Sequence, residues 1–309
     1  MPVFIISRLL SAAVVLLGVS CLVFLLLHLV PGDPVEVMLG ESAHAADREA
    51  LRQALGLNQP LWVQLLHFLE GLLRLDLGTS LHSKRPITEM LWERIPATAE
   101  LAAAALGVAV LIAFPLGVLA AVRKDSAWDY GAMGVSLLGV SMPNFWLGPL
   151  LILVFSVWLG WLPVSGRDEL SSLVLPALTL GTALAAVLSR MVRASLLEVL
   201  HEDFVRTARA KGLPERVVVW HHALRNALLP VVTILGLQLG VLLGGAVVTE
   251  MVFSWPGLGE LTIESIQRRD YPVVQACVLL ISVTYVLVNT ATDLLYAWLD
   301  PRVRLGTDK

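Results

Sequence analysis

The stretch LLEVLHEDFVRTARAKGLPERVVVWHHALRNALLP, residues 196–230, is the only long polar interruption in the second half of a very apolar chain. Read locally, it is two short helices with a break. Leu196, Leu200, Phe204 and Ala208 recur at every fourth position and would stripe one face of a first helix. Gly212 accepts positive φ and so ends that helix, and Pro214 suits the first turn of the next. Val217, Trp220, Leu224 and Ala227 stripe the second helix at helical spacing. Arg206 and Arg209 lie three apart, on a face away from the first stripe. Arg209 and Lys211 also fall in the last helical turn, where the helix dipole favours cations. An amphipathic pair of this kind between membrane spans could simply lie on the lipid surface.

The sequence around this loop is built for lipid. Of 309 residues, 57% are hydrophobic and 15% charged, against about 25% charged in soluble domains. Six runs without charge are long enough for a span: Leu9–Gly32, Leu101–Val122, Tyr130–Gly166, Leu170–Ser189, Asn226–Thr249 and Tyr271–Thr292. The third is too long for one straight span. With Pro143, Pro149 and Pro163 inside it, it reads as a helix near Leu147–Leu162 after a broken or interfacial lead-in. Two crossings there would make seven spans and put the termini on opposite sides. With six spans and the N-terminus inside, 13 of the 22 Lys and Arg residues fall inside while 16 acidic residues fall outside, which favours that count.

The chain therefore divides into 1–30, an N-terminus and first span; 31–98, an extracytoplasmic helical segment; 99–305, a transmembrane core carrying the cytoplasmic loop 196–230; and 306–309, a cytoplasmic tail. The first span is too long for a signal-peptide core and reads as retained. It exits at VPGDP, residues 30–34, a turn-rich segment. In 31–98, AADREALRQALGL reads as a helix ending at Gly56, and QPLWVQLLHFLEGLLRL as a second with Pro60 in its first turn. RPITEMLWERIP reads as a third, closed by Pro96. The segment is either a cap on the membrane helices or a docking surface for an extracytoplasmic partner.

Polar residues inside the spans are the next candidates, because an unpaired polar group is costly in lipid. Asn144 sits beside Pro143 and would either line a path or bond a neighbouring helix. Gly236, Gly240 and Gly244 form GxxxGxxxG with Gln238 between them, a spacing that serves tight helix packing or a path-lining helix. Glu250 follows at the outer end. Asp293 lies near the inner end of the last span, where snorkelling or pairing with Arg302 is the simpler account and a proton relay the alternative. Cys21 and Cys277 both fall in spans and suggest neither disulfide nor metal. A net charge of −3 without a basic tract gives no reason to expect nucleic acid. There is no GxxxxGK[ST], HExxH or GxSxG, so the chain is not expected to be an enzyme or to bind ATP, a metal or another cofactor itself.

FVRTARAKGL followed by HALRNALLPVVT resembles the cytoplasmic coupling loop of inner-membrane permease subunits of ABC importers, in the dipeptide/oligopeptide/nickel branch. LGLNQPLWVQ, DLGTS, FSWPGLG and RRDYPVVQ resemble further segments of that family. The resemblance implies an all-α integral membrane protein with the six transmembrane helices of the type I importer permease fold. It implies that Arg206, Thr207, Ala208, Lys211, Gly212 and Leu213 dock on an ATPase subunit. Asn144 and the Gly236–Glu250 helix would belong to the translocation path. Implied partners are a second permease subunit, two ATP-binding subunits that carry ATP and Mg, an extracytoplasmic solute-binding protein and the lipid bilayer. The bilayer is the bacterial inner membrane, with both termini cytoplasmic. The general importer motif has an acidic residue where Arg206 stands and a shorter spacing to Leu229-Pro230; both departures are typical of the peptide branch. Short peptides of the di-/oligopeptide or glutathione class are the expected cargo. SMPNFW keeps a nickel chelate as the alternative, and a proton-driven secondary transporter stands behind both.

Overall fold

In lipid every backbone N–H and C=O must be satisfied within the chain, which favours helices. The computed structural model describes residues 2–29, 35, 39, 44–54 and 56–299, and its regular elements are helical. The elements are α1 (Pro2–Leu29), α2 (Ala45–Ala54), α3 (Leu61–Leu73), α4 (Ile87–Val122), α5 (Ala127–Ser141), α6 (Asn144–Leu151), α7 (Val174–Val199), α8 (Asp203–Ala210), α9 (Leu224–Val252), α10 (Leu258–Gln267) and α11 (Tyr271–Leu299). Among the described residues, five helical segments are long and apolar enough to cross a membrane, at Ile6–Leu25, Ile87–Val122, Leu170–Val199, Glu215–Gly240 and Tyr271–Leu294.

The sixth crossing is the broken one. Ala127–Ser141 and Asn144–Trp158 are bent by 103° at a short break. The first has 15 residues, about 22 Å at the rise of an α-helix, short of a hydrocarbon core of about 30 Å. Counted as one broken span, the pair brings the total among the described residues to six, not seven. The helix expected near Leu147–Leu162 instead runs from Asn144 to Trp158, its second half, Ile152–Trp158, in π-helical form. Pro143 caps its start with extended backbone, which a residue of fixed φ adopts without strain. Trp158 and Trp161 are exposed, as aromatic residues at a membrane interface are.

Two compact units are present. One comprises Ser7–Thr98 and Pro256–Val286. Its helices α2 and α3 match expectation, and Gly56 takes φ +68° in the turn after α2. The third expected helix is not closed by Pro96. It continues through Pro96 and Pro115 as the 36-residue α4. An internal proline removes one backbone bond, a loss that a long, well-packed apolar helix can outweigh. Ile87, Leu91, Leu258, Leu261, Val273, Ala276 and Cys277 form this unit's core. The loop before α4 is tied to the start of α11. Asp270 accepts from the Ser80 hydroxyl, from the Leu81 N–H at 3.0 Å and from the His82 N–H at 3.3 Å. Arg94 pairs with Glu260 at 2.8 Å, and the Thr98 hydroxyl accepts from the Leu258 N–H at 2.8 Å.

The other unit is built on Ala99–Trp255 with the flanking chain ends. Its centre is α7, which packs against α5, α6 and α9. Small residues set these approaches. A Cβ at Gly181 of α7 would lie 2.8 Å from the Ala105 carbonyl oxygen and 2.7 Å from Val108 Cγ1. A Cβ at Gly117 of α4 would lie 2.7 Å from the Ser189 carbonyl oxygen. Without a hydrophobic drive between helices in lipid, such close backbone contact is a main source of association. The turn at 30–34 and the basic end at 300–304, with Arg302, the expected partner of Asp293, lie outside the described residues.

Candidate functional site

The loop that opened the sequence reading starts later and ends earlier than its pattern suggests. Leu196 is buried on α7, and the chain turns at 200–202 before α8 begins at Asp203. Leu196, Leu200, Phe204 and Ala208 therefore do not share one helix, because that turn breaks their four-residue phase. The face α8 buries is Val205, which is fully buried, and Ala208, which is 6% exposed, while Phe204 is exposed. The second expected short helix is not separate. Glu215–Val217 passes through a π-helical stretch, Val218–Ala223, straight into α9. The extra residue in a π turn shifts the buried face. Val218, Val219, Ala223, Leu224 and Ala227 are buried, while the expected stripe residues Val217 and Trp220 are exposed. α8 packs on this π-helical stretch.

Gly212 does what its position demands. It takes φ +77°, in the left-handed region open to glycine. Its N–H bonds the Arg209 carbonyl at 2.9 Å, and the Leu213 N–H reaches back to the Ala208 carbonyl at 3.4 Å. This is a Schellman ending, which satisfies the last carbonyls of α8. Pro214 then caps the next helical turn with extended backbone. Glu215 bonds the guanidinium of Arg209 at 2.7 and 3.1 Å, straddling the turn, and holds that cation above the ordinary arginine value.

Of the six residues proposed for docking, Arg206, Thr207, Lys211, Gly212 and Leu213 are exposed on this rim. Ala208 is buried and anchors α8 instead of presenting a surface. Among the described residues Arg206 meets only Asp203 of its own helix, at 3.4 Å, with both side chains largely in solvent.

The path candidates fall on two helices. Asn144 is the half-buried first residue of α6, at the 103° break, and makes no side-chain hydrogen bond among the described residues. Gly236, Gln238, Gly240 and Glu250 lie on α9. Gly236 is a packing glycine, since a methyl there would collide with the Thr292 side chain of α11. Gly240 is buried, Gln238 half-buried and Glu250 fully buried. Gly244 belongs to the same helix, and its surroundings lie outside the described side chains. Gly236 and Glu250 are about 21 Å apart along the axis at 1.5 Å per residue, so the set is a strip rather than a pocket.

Sequence reading missed the buried polar pairs. Asp129 at the start of α5 receives both Nε and Nη2 of Arg193 on α7, at 2.7 and 2.6 Å. The Ser136 and Ser189 hydroxyls meet between the same helices at 2.7 Å. A third pair is part-exposed: Arg167 meets Glu100 at 2.7 Å and lies over the buried Trp255 ring. The partners are far apart in sequence, and the only available signal was a charge beside or within an apolar helix.

Whole-length relatives share this sequence. The glutathione transport system permease protein GsiC of Pectobacterium atrosepticum is 49% identical over 301 residues, covering 97% of this chain and 98% of its own. The same protein of Escherichia coli is 47% identical over the same length and coverage. The dipeptide transport system permease protein DppB of Escherichia coli is 45% identical, again over 97% of this chain and 98% of its own. Among solved structures, an inward-facing form of the MetNI methionine ABC transporter matches with a TM-score of 0.58 at 20% identity. It covers 68% of this chain and 96% of that one. An amino acid ABC transporter crystallised with histidines matches at 0.51 and 16%, over 70% and 94%. These two place the fold among type I importer permeases. Residues 1–102 match the N-terminal membrane component model of binding-protein-dependent transport systems. Residues 113–305 match the core model, and the chain belongs to the family of binding-protein-dependent transport system inner membrane components.

Proposed function

We propose that this chain is one permease subunit of an ATP-driven importer that brings short peptides, of the glutathione or dipeptide class, across the bacterial inner membrane. The observation that carries this reading is α8: a short helix anchored by Val205 and Ala208, closed at Gly212, with Arg206, Thr207, Lys211 and Leu213 facing outward. A helix fixed on one face and polar on the other suits a rigid lever under a partner protein. That partner is a pair of ATPase subunits, which bind the ATP and Mg that this chain does not. A second permease subunit completes the path as a heterodimer, and an extracytoplasmic solute-binding protein delivers the cargo. Both termini and the 196–230 loop are cytoplasmic, and 31–98 is extracytoplasmic. The domain division is 1–30, 31–98, 99–305 and 306–309. Asn144, at the break in the broken span, and the half-buried Gln238 on α9 are the polar groups offered to the path.

ATP closes the ATPase pair, α8 rides with it, and the helical bundle switches between inward- and outward-open arrangements, a rigid-body change around a shared path. The names of the relatives at 45–49% identity favour peptide over nickel chelate. The test is uptake into liposomes containing the chain with its co-purified subunits and binding protein. Labelled glutathione, a dipeptide and a nickel chelate are supplied with ATP. ATP-dependent uptake of a peptide is expected. Uptake that needs a proton gradient and no ATP would refute the proposal.

A further inference from the structure

α5 buries only three residues, Asp129, Ala132 and Ser136. They form a single seam at helical spacing, and two of the three are polar. Each polar one has its partner on α7. Asp129, 3% exposed, takes the bidentate Arg193 guanidinium and a further N–H from Asp125 at 3.0 Å. Two turns along, Ser136 meets the Ser189 hydroxyl. Beyond that, the backbone of Gly139 comes against α7, where a Cβ would lie 3.1 Å from the Ala186 Cβ and 3.3 Å from the Thr182 carbonyl oxygen. α5 is therefore held to α7 along its whole length.

Apolar burial does not explain this seam, because lipid would cover an apolar α5 face equally well. A buried ion pair is a poor source of stability and a good means of fixing one register. Its place in the chain gives that register a use. Arg193 stands ten residues before α8 begins, on the helix to which α8 is attached. A displacement of α8 reaches α7 first. α5 in turn leads into the 103° break and α6.

We propose that Asp129 and Arg193 are positioning residues for energy coupling. Their ion pair locks α5 to α7, so the two helices travel as one body when α8 is moved, and the motion is delivered to the break at Ser141–Asn144. This rests on the reading of α8 as the ATPase-docking helix.

The test uses the assembled complex in liposomes, with ATP hydrolysis and peptide import measured in the same vesicles. Asp129→Asn and Arg193→Gln should still assemble and hydrolyse ATP, while import per ATP falls about tenfold or more, within the usual range of coupling between sites. Arg193→Lys, which keeps the charge, should retain most of the import per ATP. Hydrolysis and import falling in proportion, or Arg193→Lys failing as badly as Arg193→Gln, would overturn the proposal. A second measurement does not depend on how the variants fold. Spin labels at the exposed Tyr130 and Ala194 of the otherwise unaltered chain should report one distance with and without ATP. A nucleotide-dependent change there would equally overturn it. If the unaltered complex shows no ATP-driven import at all, the functional reading fails instead, and the two failures are told apart.

Discussion

Replacing Gly212 by valine isolates one physical quantity. Apart from its chain neighbours, no heavy atom lies within 4 Å of the position a Cβ would take, so the site is open to a Cβ. The whole cost is in the backbone, which holds φ at +77°. Forcing an L-residue into this region costs about 1–2 kcal/mol, and a β-branched residue sits at or above the top of that range. The loop can relieve the strain only by giving up the Schellman bonds, Gly212 N–H to Arg209 and Leu213 N–H to Ala208. Lys211 and Leu213 then leave their places on the rim. At about 2 kcal/mol the ratio of docking-ready to relaxed loop falls about 30-fold, since about 1.4 kcal/mol is tenfold. The apparent affinity for the ATPase subunit falls by up to that factor.

The assay is binding of labelled ATPase subunit to the chain in lipid nanodiscs, for Gly212→Asn, Gly212→Ala and Gly212→Val. Asparagine tolerates the left-handed region best and valine worst, so affinity should fall in that order with membrane insertion unchanged. Wild-type affinity in the valine variant would refute docking by this loop. Equal loss in the asparagine and valine variants would show that any side chain is harmful, and backbone conformation would not be the cause.

Close packing gives a matched pair of glycines. Gly181→Ala should destabilise by about 1–3 kcal/mol, because the methyl meets the Ala105 carbonyl and Val108. Gly107→Ala, with open space around it, should leave the melting temperature in detergent unchanged or slightly raised. Asp270→Asn removes the charge that holds the Ser80, Leu81 and His82 donors. It should cost about 1–3 kcal/mol and open the 75–85 loop to limited proteolysis at lower protease concentration. Glu215→Gln breaks an exposed pair with Arg209, whose side chains are 51% and 42% exposed, and should change stability by less than about 1 kcal/mol by the same melting assay.

How far the chain could be read depended on the range of each interaction. Gly212 was legible because a Schellman ending is decided within six residues, and Pro214 reinforces it. The six spans were legible because lipid demands apolar length. The stripes on either side of Gly212 were misread where the backbone left α-helical phase. The turn at 200–202 separates Leu196 from Ala208, and the π-helical stretch at 218–223 turns Trp220 outward and Val219 inward. Periodicity counting assumes 3.6 residues per turn, and nothing in VVWHHA announces another value. Pro96 was read as a stop because a proline weakens any helix, yet its cost is weighed against the packing of a 36-residue element that local sequence does not reveal.

The polar residues of this apolar chain then sort by a simple rule. Asp129, Ser136, Asp270 and Arg94 are buried or half-buried, and each meets its partner inside the same unit. They fix helices in place. Arg206 and Thr207 stand exposed on α8 and Lys211 in the turn that follows it; among the described residues Arg206 makes one long, local ion pair, and the Thr207 hydroxyl donates to the Asp203 carbonyl at 2.9 Å. A polar group matched and buried within the fold is out of reach of another protein. One held outward on an anchored helix is within reach. In a chain with only 15% charged residues, exposed polar groups on so short a helix are not needed for solubility. On the proposed function their use is to bind an ATPase subunit, and the proposed role of the Asp129–Arg193 pair, whose Arg193 stands ten residues before α8, is to carry that event into the membrane.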